Sequence, residues 1–146
     1  MSKAVMISIQ PRWCELIAAG EKTMEVRKTR PKLETPFKVY VYCVKPRFEH
    51  EDFFALVGKQ GFYGGGKVIG EFVCDRIDWL ARVGFTKRGG EPEYRIVNNG
   101  DWESPIGRLL EEACLTEEEI YAYLGGNSGF GWHISDLKIY DKPKEI

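Results

Sequence analysis

Long apolar runs are missing from this sequence. No stretch approaches the roughly 18 apolar residues of a membrane-spanning helix, so helical membrane insertion is not expected. The opening Met1-Ser2-Lys3 leads into a short alternating segment, not into the apolar run of about 7 to 15 residues found in secretory signals, and the cytoplasm is the expected location. Histidine is scarce, with only His50 and His133, and Cys14, Cys43, Cys74 and Cys114 never form a CxxC pair. That spacing points away from a zinc site and a disulfide framework. Each cysteine has apolar neighbours, so buried free thiols are expected, with no metal and no cofactor. A G-x-S-x-G elbow, an HExxH helix, internal repeats and low-complexity segments are also absent, which sets aside the hydrolase and metalloprotease classes those motifs mark.

An excess of charge of either sign is lacking too. The net charge of −1 excludes a globally basic nucleic-acid binder, but the charges are unevenly spread. Between positions 22 and 47 eight basic residues face only Glu25 and Glu34; between 101 and 119 seven acids face only Arg108. If these segments lie apart in space the molecule is electrically polar. Charge alone leaves two readings open: an anion-binding face, or two solvated surfaces of opposite sign. The length of 146 residues and 43% hydrophobic content fit one packed core, so residues 1–146 are expected to form a single domain.

Local patterns predict the elements. Ala4 to Ile9 alternates as a strand; Pro11 fits a first helical turn and Gly20 a left-handed cap, giving a helix of barely two turns. Thr23 to Arg27 alternates, with Met24 and Val26 on one side and Glu25 and Arg27 on the other. A strand over Phe37 to Cys43 places Lys38, Tyr40 and Tyr42 opposite a core face. Lys45 to Lys59 is mixed, with room for a short helix near Asp52 to Val57, and Gly61 to Gly66 reads as a glycine-rich loop, closure over a ligand being the lesser of its readings. Further strands are expected at Lys67 to Ile77, bulged or bent at Gly70, and at Tyr94 to Val97. Ser104 and Pro105 suggest the start of a helix reaching Cys114. Thr116 to Glu119 has the form of a capping box, and Gly125 and Gly126 stop that helix. A last strand covers Gly131 to Tyr140, before a charged, proline-broken tail. The sum is an α+β fold: a small, mostly closed β-barrel of five to six mostly antiparallel strands with flanking short helices.

One motif is set aside on mechanism. Gly61 to Lys67 fits the letters GxxxxGK, yet Val68 stands where a magnesium-holding Ser or Thr is needed, and the pattern continues as a strand instead of a helix.

The informative segment is Gly20-Glu21-Lys22-Thr23-Met24-Glu25-Val26-Arg27. Arg27 can grip a carboxylate or phosphate with two donors, and Glu25 can orient Lys22 or accept from a base amino group. An ordinary surface ion-pair cluster would show the same residues. An adjacent Glu25 carboxylate would raise the pKa of Lys22 and suit it to an electrostatic clamp better than to a general base. Aromatic side chains supply stacking surfaces: Tyr42 and Tyr63 are the preferred pocket walls, Trp13 fits pocket or core, and Trp132 is assigned to the core. Arg12, Lys28, Arg30, Lys45 and Arg47 would extend a positive track for a strand.

The run Ile7-Ser8-Ile9-Gln10-Pro11, followed by a short helix and Gly20-x-Lys22-x-x-Glu25-x-Arg27, resembles the ASCH domain family of the PUA-like superfamily. Gly70-Glu71-Phe72-Val73 and Gly131-Trp132-His133-Ile134 carry the likeness over most of the chain. The resemblance implies a PUA-like β-barrel with a cleft suited to RNA, DNA or a single base or nucleoside. One branch of the family is similar to amidohydrolases of acylated cytidine that use a Lys, a Thr and a Glu, and another is described as ribonucleases. On that resemblance the Lys corresponds to Lys22, the Thr position holds Glu25, and the Glu corresponds to Glu111. The functional expectation is therefore a binding domain for RNA, single-stranded nucleic acid or a nucleoside-like small molecule. The alternatives are a metal-independent hydrolase of a modified nucleoside or RNA using Lys22, Glu25 and Glu111, and a protein-interaction module whose acidic helices take a basic partner.

Overall fold

In a computed structural model the described residues are 3–45, 56–57, 62–63, 65–85, 92–98 and 101–146; at 56–57, 62–63, 83–85, 92–93, 98 and 101–105 only the backbone is described. The chain runs β1 (Ala4–Ile9), α1 (Pro11–Ala18), β2 (Met24–Arg27), β3 (Phe37–Cys43), β4 (Leu56–Val57), β5 (Phe62–Tyr63), β6 (Lys67–Phe85), β7 (Pro92–Asn98), β8 (Asp101–Pro105), α2 (Gly107–Ala113), α3 (Glu117–Leu124) and β9 (Gly129–Lys144). The α+β class and most elements match expectation.

The long strand β6 is the spine of the sheet. Its first part, from Lys67 to Cys74, pairs with β3, its last part with β7, and Val68 to Leu80 pairs with β9. Because β9 overlaps both of the other partners along β6, β3 and β7 must share the opposite edge. From this spine one arm runs through β3 to a parallel β1, another through β7 to β8, and the third through β9 to β2. The order β1-β3-β6-β9-β2 would close into a five-stranded barrel if β1 met β2. Among the described residues no ladder joins those two edges, so the sheet stays open where the sequence suggested a mostly closed barrel.

Gly70 sits at the expected irregularity. The β3 register shifts opposite it, and a Cβ there would lie 2.5 Å from the Lys138 carbonyl oxygen on β9. Any larger residue would push the two strands apart.

Two hydrophobic clusters flank the opening between β1 and β2. The first gathers β1, α1, β3 and the starts of β6 and β9 around Ile9, Ile17, Val41, Phe72 and Trp132. Trp132 is core as expected: it meets Phe37 edge-on, and its indole N–H donates to the Thr29 carbonyl. Cys14, Cys43 and Cys74 are buried, and the Cys14 thiol donates to the Ile9 carbonyl; Cys114 is half-buried. The second cluster packs β2, β6, β7, α2 and α3 around Met24, Leu80, Ile96, Leu109 and Ile120.

Some boundaries differ from expectation. Ser104 and Pro105 finish β8, paired with Ile96 and Arg95, so α2 starts only at Gly107. An edge strand tolerates the missing proline N–H, so the Ser-Pro pair ends a strand here instead of starting a helix. Strand β6 runs on to Phe85, and Leu56–Val57 is extended and paired with Phe62–Tyr63; the remainder of the expected helix near Asp52 and of the glycine-rich loop falls largely outside the described residues. Thr116 forms the expected capping box: its hydroxyl accepts from Glu119 N–H, and the Glu119 Oε1 accepts from Thr116 N–H.

Candidate functional site

The opening between β1 and β2 is a cleft of about 560 Å³, lined by Ser8, Ile9, Gln10, Trp13, Lys22, Glu25, Val26, Arg27, Leu115, Glu119, Ala122 and Tyr123. Local folding explains how these converge. Gly20, at φ +79°, ends α1 and turns the chain so that Lys22 enters the interior before β2 begins. Alternation along β2 then aims Glu25 and Arg27 to the same side, as expected.

The floor is a chain of charges. Lys22 is 2% exposed; its Nζ donates to the Ala113 carbonyl oxygen at 2.6 Å and lies 3.6 Å from Glu25 Oε1. That carbonyl belongs to the last turn of α2, so the ammonium also faces the negative end of a helix. Glu25 Oε2 accepts from Arg27 Nη1 at 3.2 Å, and the same nitrogen donates to the Ser8 carbonyl at 3.1 Å. A side chain thus crosses the open seam between β2 and β1 where a barrel would have used a backbone ladder.

Burial depresses the Lys22 pKa below its ordinary value, and the opposing pull of Glu25 is smaller. This reverses the sequence expectation, which weighed the carboxylate but not the loss of water around a nearly enclosed ammonium.

The rim carries the aromatics. Trp13 on α1 and Ala122 and Tyr123 on α3 all line the opening, and Tyr123 is 40% exposed with Lys28 Nζ 5.1 Å from its ring centroid. Arg12 lies over the Trp13 ring, its guanidinium carbon 4.1 Å from the centroid, and its Nη2 donates to Glu119 Oε2 at 3.2 Å. The Lys22 ammonium is 5.1 Å from the same ring.

Of the residues singled out in sequence, Trp13, Lys22, Glu25 and Arg27 line the cleft, and Arg12 and Lys28 stand over its aromatic walls. Arg30 is directed elsewhere, donating to the Leu33 carbonyl. Tyr42 pairs with Ser8 but belongs to β3, one strand further in, with its hydroxyl toward Gly66; neither it nor Lys45 lines the cleft. Glu111 is exposed on α2, away from the lining. Arg47 and the Tyr63 side chain fall outside the described residues. The acidic and basic segments do not lie apart: Lys22 meets the end of α2, and Thr23 N–H donates to the Glu112 carbonyl.

Sequence reading missed Ser8, Gln10, Leu115, Glu119, Ala122 and Tyr123. Glu119, Ala122 and Tyr123 stand at i, i+3 and i+4 on α3, the spacing of one helical face, beside the buried Ile120 and Leu124. Among the described residues no group of three or more His, Cys, Asp or Glu side chains is placed to hold a metal, and no helix is long and apolar enough to cross a membrane.

Solved structures show the same architecture. A mutant of the ASCH protein from Zymomonas mobilis superposes with a TM-score of 0.60 at 16% identity, covering 97% of this chain and 74% of that one. The structure of ASCH from the same organism gives 0.59 at 17% identity, covering 97% and 72%. The chain has the fold of an ASCH domain. A second mutant of the Zymomonas protein agrees at 0.53, with 18% identity over 94% of this chain and 68% of that one. No family model matches the sequence, and no curated protein is similar to it. The ASCH fold thus rests on architecture, and the segment Gly20 to Arg27 that suggested it lies at the seam where the sheet stays open.

Proposed function

We propose that residues 1–146 act as one ASCH-type domain, with a PUA-like barrel left open at the β1–β2 seam, that binds single-stranded nucleic acid, preferentially RNA, or a nucleotide. The observation that carries this reading is the cleft at that seam. Two aromatic residues, Trp13 and Tyr123, line it above a floor of fixed charges, in a volume suited to one nucleotide-sized group. A base would enter between the rings, and the exposed edge of Arg27 would meet a carbonyl or phosphate oxygen. Glu25 acts as the brace holding Lys22 and Arg27, since both of its oxygens already face cations. Arg12 and Lys28 supply positive charge for the backbone that follows the base. The resemblance to ASCH proteins, a family associated with nucleic acids, supports the same ligand class.

Fluorescence anisotropy of a short single-stranded RNA, at low and moderate salt, tests the reading. The wild type should bind and weaken with salt, and Tyr123→Ala should lose roughly 1 to 3 kcal/mol, the weight of one base–aromatic stack. Equal binding by the two proteins, or no binding of RNA or nucleotides, would contradict it.

A hydrolase remains a second reading because Lys22, with its lowered pKa, is a better proton acceptor than an ordinary lysine. The second carboxylate within the cleft would be Glu119, since Glu111 faces solvent. Product formation from an acylated cytidine or from RNA, lost in Glu119→Gln, would favour it.

A further inference from the structure

Two contacts of Arg12 bear on how the cleft selects its ligand. Its guanidinium covers a face of Trp13 at stacking distance, on the ring that the proposed base would use. It is held there by Glu119 on the opposite wall, a bridge joining α1 to α3. A protein cation therefore occupies one stacking place on Trp13, reached from outside the lining, while the Lys22 ammonium approaches the same ring from the floor. The bridge is weak by construction: the Arg12 side chain is 68% exposed and that of Glu119 35%, and an exposed pair of this kind is worth little. Glu119 does not depend on Arg12 for its position, because its other oxygen belongs to the α3 capping box. The cover can therefore move without dismantling either helix.

Resting on the base-binding reading above, we propose that Arg12 is a displaceable cover that makes the cleft selective for phosphorylated ligands. A base stacking on Trp13 displaces the guanidinium from the ring and from Glu119. A free nucleoside has no partner to offer the released cation, whereas a nucleoside monophosphate or a strand carrying a neighbouring phosphate does. The guanidinium exchanges a single carboxylate contact for two parallel hydrogen bonds to phosphate oxygens. The ligand class is thus a nucleotide or nucleic-acid strand in preference to a nucleoside.

Calorimetric titration of paired probes, adenosine with AMP and uridine with UMP, tests this in the wild type, Arg12→Ala and Glu119→Gln. The wild type should favour each monophosphate over its nucleoside by about tenfold or more, in line with a charge-assisted bidentate contact. Arg12→Ala should lower that ratio severalfold, Arg27 and Lys28 keeping the remainder, while leaving nucleoside binding equal or stronger. Glu119→Gln should strengthen monophosphate binding, by up to about fivefold, because it releases the cover from an exposed ion pair. The indole N–H resonance of Trp13, assigned with Trp13→Phe, should shift on ligand addition in each of the three proteins.

A wild type that binds nucleoside and monophosphate equally overturns the role of Arg12 while leaving the base-binding cleft standing. Equal loss of both ligands in Arg12→Ala, or weaker monophosphate binding in Glu119→Gln, also overturns it, since Arg12 would then build the site instead of covering it. Failure of all four probes to bind or to move the Trp13 resonance removes the base-binding reading itself, and the cover with it.

Discussion

The floor and the rim of the cleft are both built from charged residues, yet they are held in opposite ways. Lys22 and Glu25 are nearly withdrawn from water and are fixed by the α2 carbonyl, by each other and by Arg27. Arg12, Lys28 and Tyr123 at the rim are exposed; Arg12 is held by Glu119 and the Trp13 ring, and Lys28 lies over the Tyr123 ring. A buried pair cannot lose one member without leaving the other uncompensated, whereas an exposed pair can exchange partners at little cost. The comparison separates tasks. The floor keeps the open seam between β1 and β2 in shape, and the rim is free to respond to a ligand.

The largest effect should come from breaking the floor. Lys22→Ala should cost about 3 kcal/mol of stability in chemical denaturation, the lower end for breaking a buried pair, since Glu25 keeps Arg27 as a second cation. Lys22→Met combined with Glu25→Leu should recover much of that loss, since it removes both charges and refills the space. A loss below about 1 kcal/mol for Lys22→Ala would show that the floor tolerates ligand-driven change as the rim does. The pH dependence sharpens the point. Desolvation lowers the folded-state pKa of Lys22 from its ordinary 10.5, so between the lowered value and 10.5 the unfolded chain binds more protons than the folded one. Lys22 therefore makes stability rise with pH across that window, and the wild type should show this slope relative to Lys22→Met.

A middle-sized effect belongs to the support of the rim. Thr116→Ala removes the hydroxyl that caps α3 and should cost about 1 kcal/mol. It should also loosen Glu119 and Tyr123, read as faster hydrogen exchange in the first turn of α3 with little change in β2. Equal acceleration in β2 would mean that rim and floor are one unit.

The smallest effect should come from Arg12→Ala, within about 0.5 kcal/mol of the wild type in denaturation. A much larger loss would make the bridge to Glu119 a structural strut and erase the contrast.

Much of this was legible in sequence where the signals were local. Pro11 and Gly20 bounded α1, alternation placed Glu25 beside Arg27, and Thr116 with Glu119 announced the capping box. What could not be read was how those pieces meet across the chain. Tyr123 becomes a wall only because α3 folds back to α1, a contact seen in the Arg12–Glu119 pair. Tyr42, equally aromatic and equally alternate, is placed one strand away from the cleft. The Lys22 pKa was misjudged for the same reason: the neighbouring carboxylate is visible in sequence, but the surrounding protein that removes water is not. Barrel closure, too, depends on whether the edges of β1 and β2 meet, and neither strand's own pattern encodes the side chain that spans them.

Amide chemical-shift mapping with AMP and UMP tests the central claim most directly. The account predicts shifts concentrated at Ser8, Gln10, Trp13, Arg27, Glu119 and Tyr123 on the two walls and the seam, with β7 and β8 unmoved. Shifts centred instead on the shallow depression around Lys3, Phe37 and Lys38, or none at all, would contradict it.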